Sequence, residues 1–174
     1  MVLLRGINLG ARNRIAMPAL REQLSDAGFT GARTYLSSGN VVLESEAAPD
    51  ALGREIERLI TDRFGLEIDV VVRSRDELAA VVDLNPLGAV AVNPKRYQVS
   101  FMSAELDPGI VAEFEKLADP SEQIVAVGRE LYAWHPNGVA RSKLWARLAG
   151  RKLGVTATAR NWTTVTSLLT MADG

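Results

Sequence analysis

The stretch ARTYLSSGNVVLE, residues 32–44, lies between two segments with helical spacing of apolar residues, and its reading as a hairpin decides the architecture of the chain. Residues 33–36 and 40–44 carry the β-branched and aromatic side chains that favour a pleated surface. Between them Ser37-Ser38-Gly39 forms a tight turn, because glycine accepts the positive φ that such a turn demands. Working outward on the N-terminal side, residues 2–7 read as a short strand, and residues 18–27 place Ala19, Leu20 and Leu24 on one helical face before Gly28 closes the helix. On the C-terminal side, residues 50–64 carry Leu52, Ile56, Leu59 and Ile60 at helical spacing, Gly65 stops them, and residues 68–72 form a strand. The order is βαββαβ, followed by a helix from Ser74 or Arg75 to Leu84.

The same order returns after Asn85-Pro86 and a loop running through Asn93-Pro94. Strand 97–102 and helix 108–117 precede a hairpin of residues 124–127 and 131–134, and then come helix 142–153, strand 155–159 and a final helix from about Asn161. The predicted fold class is therefore α+β: a tandem pair of ferredoxin-like (βαββαβ) subdomains, residues 1–90 and 91–174, each with one added helix. No residue-by-residue identity links the halves, so the repeat is architectural.

Composition narrows the chemistry. The 174 residues include no cysteine and a single histidine, His135, which excludes disulfides, thiol nucleophiles and multi-histidine metal sites. No signal-peptide pattern and no apolar run of membrane-spanning length is present, so the expected location is cytoplasmic. The net charge of −1 hides an uneven distribution. Residues 1–21 hold four arginines and no acid, and residues 136–172 hold six bases and no acid, which leaves 20 of the 21 acids in residues 22–135.

Four motifs, RGINLG at 5–10, TYLSSGNVV at 34–42, SKL at 142–144 and TARNWTTV at 158–165, together resemble the bacterial family catalogued as domain of unknown function 1697. The resemblance spans the whole chain and implies the tandem α+β arrangement already read from the elements. It implies no activity, because the family has none established. Ala11 stands where a second glycine of a G-G-x-N stretch is common in that family.

The acid-free stretches are the candidate site. Gly6 and Gly10 match neither a dinucleotide nor a P-loop spacing, but the loop combines arginine forks, asparagine amides and glycines, which suit carboxylate or phosphate oxygens. A polar strand-to-helix connection with solvated arginines uses the same residues. Ser37, Ser38 and Asn40 can offer hydroxyls and an amide to a ligand, or serve the turn itself. Lys143, Arg147 and Arg151 recur every four residues on a helix that carries no acid to pair with them. Arg160 together with the N–H groups opening the last helix forms an anion seat, with Asn161 as N-cap. Trp162 reads as core, Trp145 as either a stacking or a packing residue, and His135 as a residue flanking the Pro136-Asn137-Gly138 turn. No nearby acid pair, nucleophile triad or metal-ligand spacing appears.

The expectation that follows is a phosphate-bearing ligand, a nucleic acid or a nucleotide, held in a basic site between the subdomains. Arg5, Arg14, Lys143 and Arg160 supply charge, Asn8, Asn40 and Asn161 orient, and Ser38 offers its hydroxyl. Neither cofactor nor metal nor membrane is implied. An enzyme of small phosphorylated or carboxylated substrates and an assembly module docking on its own acidic residues or on a second copy are the alternatives.

Overall fold

Residues 1–150 and 152–174 of a computed structural model are described, and they form eight strands and six helices. The strands form two four-stranded antiparallel sheets, ordered β2-β3-β1-β4 and β6-β7-β5-β8. The chain divides into two compact units, residues 1–78 with 168–174, and residues 79–167.

In the first unit β1 (Val2–Leu4) is the inner strand, paired with β3 (Asn40–Val42) on one side and β4 (Val70–Val72) on the other, while β2 (Arg33–Tyr35) completes the hairpin through Tyr35 opposite Asn40. Val2 and Leu4, two residues apart, share one face of the sheet with Val41. Against that face pack Leu20 and Leu24 of α1 (Met17–Asp26) and Leu52, Ile56 and Ile60 of α2 (Pro49–Phe64). Each such side chain removed from water stabilises the fold by about 1.5–3 kcal/mol, which explains why the four-residue spacing in α2 sets its orientation. β1 is shorter than the residues 2–7 expected, because the chain leaves the sheet at Gly6, where φ is 64°.

In the second unit β5 (Tyr97–Met102) lies between β7 (Glu130–Trp134) and β8 (Ala157–Asn161), with β6 (Gln123–Val127) at the edge beyond β7. Phe114 of α4 (Pro108–Leu117) and Leu144 and Leu148 of α5 (Lys143–Leu148) join Met102 and Leu131 in its core. Asp107 caps α4 by accepting from the Gly109 N–H at 2.7 Å. α5 runs six residues, not through the expected 142–153, and bonds from Ala149 N to Trp145 O and from Gly150 N to Arg147 O tighten its last turn. β8 lies two residues later than expected. Its register runs from Ala157 opposite Met102 to Asn161 opposite Gln98, so α6 (Trp162–Ala172) starts only where that ladder ends.

The division between the units differs from the sequence division at 90/91 for a structural reason. α3 (Arg75–Leu84) straddles it: the Tyr132 hydroxyl donates to Val81 O at 3.4 Å, which fastens the second half of α3 to β7. The end of α6 belongs to the first unit, where Arg33 donates to Met171 O at 2.5 Å and Arg75 pairs with Asp173 at 2.7 Å. Among the described residues no helix is long and apolar enough to cross a membrane.

Candidate functional site

The acid-free loop between β1 and α1, residues 5–16, is built around Asn8. Its Nδ2 donates to Ile15 O at 2.9 Å and to Ser37 O at 2.7 Å, its Oδ1 accepts from Ile15 N at 3.0 Å, and its N–H donates to Asn13 O at 3.0 Å. Asn8 and Asn13 sit at φ 54° and 50°, a conformation that asparagine tolerates better than most residues. The amide expected to orient a ligand thus staples the loop shut and ties it to the β2–β3 turn. That turn is stapled in the same way: buried Asn40 donates to Tyr35 O at 2.8 Å and to Ser38 Oγ at 3.0 Å.

Arg5 is directed inward, 17% exposed, 3.3 Å from Asp69 Oδ2, with its own N–H on Asp69 O. Arg14 remains exposed, its Nε 3.4 Å from Gly10 O, and Arg12 beside it is exposed as well. Among the described residues neither Arg12 nor Arg14 forms an ion pair. Two leucines stand out on the same rim, Leu9 at 71% and Leu36 at 55% exposure, each adjacent to one end of the Asn8-to-Ser37 bond. Leu36 also holds φ 57°, where a bulky side chain is strained. Sequence reasoning passed over Arg12 as a site residue and over both leucines.

In the second unit Ser142 caps α5, accepting from Trp145 N at 2.9 Å, and Lys143 is exposed beside it. Of the basic stripe expected on this helix, Arg147 is paired. Arg147 grips Glu113 of α4 with both arms, at 2.7 and 3.1 Å, which lowers the Glu113 carboxyl pKa through the hydrogen bonds, and its third nitrogen donates to Lys152 O. Arg151, the third member of the stripe, falls outside the described residues.

Arg160 corrects the expectation of an anion seat at the start of the last helix. It lies in β8, opposite Val99, 7% exposed, donating to Thr158 Oγ1 and to Ala159 O at 2.8 Å each, and burial lowers its pKa to about 10. Asn161 does cap α6, accepting from Thr164 N at 2.9 Å, which commits its side-chain oxygen. Trp162 stacks on Tyr97 with ring centroids 4.7 Å apart.

His135 flanks its turn as read, accepting from Gly138 N, but its ring is fully buried, with Nδ1 2.7 Å from Glu122 Oε1 and the Trp145 ring edge-on at 5.8 Å. Burial pushes the Glu122 carboxyl pKa up, yet bonds from Ser142, His135 and the Asp119 N–H, with the His135 charge, outweigh it and hold the pKa below the ordinary value. The Glu122 carboxylate is thus shared by the serine and the histidine. The histidine Nε2 has no hydrogen-bond partner among the described residues. No cluster of three or more His, Asp or Glu suitable for a metal ion occurs among them.

Two four-stranded antiparallel sheets and six helices among the described residues make this an α+β protein. The family model described as protein of unknown function (DUF1697) matches residues 1–132, and the chain belongs to that family. No curated protein matches it. Among solved structures, the conserved bacterial protein SP0830 from Streptococcus pneumoniae is similar over 98% of this chain and 96% of its own, with a TM-score of 0.76 at 20% identity, a likeness of fold.

Proposed function

We propose that the protein binds an oxyanion-bearing ligand on the rim of the β1–α1 loop, with Arg12 and Arg14 as charge donors, on a scaffold of two ferredoxin-like subdomains. One observation carries the reading: both guanidinium groups are exposed and, among the described residues, without ion pairs, while the Asn8 and Asn13 side chains hold the loop in place. A loop fixed before binding loses little conformational entropy on binding, so its arginine forks present donors at a defined spacing. Lys143 offers a further exposed cation on the second unit. The strand orders support the fold assignment, since in each sheet the first strand of a β-α-β-β-α-β run lies between the third and the fourth.

Phosphate and carboxylate share the chemistry the forks recognise. The test is fluorescence anisotropy with labelled single-stranded RNA and DNA at two salt concentrations, beside calorimetry with inorganic pyrophosphate. For two neutralised phosphates the logarithm of affinity falls with the logarithm of salt at a slope of about −1.4. Arg12→Ala and Arg14→Ala are each expected to weaken binding about tenfold, the equivalent of one charge-assisted hydrogen bond. Arg58→Ala, on α2, serves as the control. Binding that is unchanged in Arg12→Ala/Arg14→Ala refutes the assignment.

A further inference from the structure

Arginines alone do not account for the rim, because Leu9 and Leu36 stand 71% and 55% exposed on it and Leu36 is held in a backbone conformation unfavourable to leucine. Apolar side chains placed in water on a rigid, strained loop give the fold nothing and suit a contact. Aliphatic groups have no ring face on which a nucleobase stacks, so the pair favours a protein ligand over a nucleic acid.

The second unit carries the complementary surface. Between the start of α4 and the β6–β7 turn runs a groove of about 320 Å³ floored by Met102, Leu106 and Val111, with Glu105 and Glu115 among its lining residues. Both glutamates are exposed, and among the described residues neither forms an ion pair. Val127, at the tip of that turn, is 43% exposed. The geometry points to a second copy of this chain as the partner of the rim: Leu9 and Leu36 enter the groove while Arg12 and Arg14 meet Glu105 and Glu115. The inference rests on the reading of the loop as an oxyanion site and names its oxyanions as carboxylates. Because every copy carries both rim and groove, the contact is head-to-tail, and assembly continues past two copies unless the ring closes.

Sedimentation velocity over a rising concentration series tests it with the full chain. The wild type is expected to grow beyond the monomer mass, less so at high salt. Arg12→Glu/Arg14→Glu and Glu105→Arg/Glu115→Arg are each expected to stay monomeric at concentrations tenfold above the wild-type midpoint. An equimolar mixture of the two restores association, because each then meets an opposite charge, and the chain carrying all four substitutions associates with itself. Leu36→Asn removes the apolar anchor at a position where asparagine is tolerated, so it is expected to weaken association at least tenfold with no loss of melting temperature. Association of either charge-reversed variant at wild-type strength, or failure of the mixture to associate, overturns the proposal. A monomeric wild type that still binds RNA or pyrophosphate through Arg12 and Arg14 overturns the second copy and leaves the oxyanion site standing; a monomeric wild type silent toward those probes removes both.

Discussion

Gly39→Ala tests the central packing claim, that the β2–β3 turn is seated directly on the start of the β1–α1 loop. Gly39 has φ 81°, and a Cβ added there meets Leu4 Cβ at 2.7 Å and Ile7 Cδ1 and Cγ1 at 2.8 and 2.9 Å, well inside van der Waals contact. Neither neighbour can yield, since Leu4 and Ile7 are 0% and 1% exposed and belong to the core of the first unit. A left-handed alanine costs about 1–2 kcal/mol, overpacking a core adds about 1–3 kcal/mol, and the stiffer unfolded chain returns about 0.4–1 kcal/mol. The net loss is about 2–4 kcal/mol, a fall in melting temperature of about 5–15 °C for a chain of this length. Gly10→Ala isolates the packing part, because its φ of 68° is similar but nothing lies within 4 Å of the added Cβ. It is expected to lose no more than about 1 kcal/mol, or about 1–4 °C. Thermal unfolding by circular dichroism reads both. Equal losses in the two variants refute the seating of the turn.

Three further outcomes follow from the same structure. Asn8→Ala removes three side-chain bonds and leaves alanine at φ 54°, a loss of about 2–4 kcal/mol in denaturant unfolding, whereas a loss below about 0.5 kcal/mol means the loop is not stapled. Arg160→Ala is expected to lower stability by about 2–4 kcal/mol and to leave the affinity of the folded protein for oligonucleotide or pyrophosphate unchanged; an affinity loss at full stability returns Arg160 to the ligand site. Glu122 is held more acidic in the folded chain than when unfolded, so its contribution is complete above the unfolded value and disappears as pH falls through the folded one. Melting temperatures from pH 7 to pH 3 are therefore expected to fall below about pH 5 in the wild type, and to fall less steeply in Glu122→Gln.

Local information carried the fold further than it carried the site. The hairpin at 33–42 was legible because Gly39 and the strand-forming residues on either side are neighbours in sequence, and the helical face of α2 was legible because its apolar residues repeat within one element. Asn8 was assigned to a ligand because an amide has the same donors whether it meets a substrate or a backbone; the carbonyls that take it lie seven and 29 residues away. Arg147 looked unpaired because its acid, Glu113, is 34 residues distant on another helix. Arg160 was misplaced by the two-residue extension of β8, which is set by its ladder with β5 and not by local propensity. The strain at Leu36 leaves no trace in composition at all.

The family motifs and the proposed site therefore divide the labour. In RGINLG, Asn8 locks the loop and Arg5 pairs with Asp69; in TYLSSGNVV, Asn40 and Gly39 seat the turn; in SKL, Ser142 caps α5 and bonds Glu122, which in turn holds His135; in TARNWTTV, Arg160 is buried and Asn161 caps α6. Each of these polar side chains closes a contact inside its own unit. What is left outward, Leu9, Arg12, Arg14 and Leu36, is held at fixed positions by those contacts while contributing little to them. A search for function among the polar motif residues just named would find mainly stability effects, because truncating them loosens the platform. The informative substitutions are those on the four outward residues, where affinity or assembly is expected to change and the melting temperature is not.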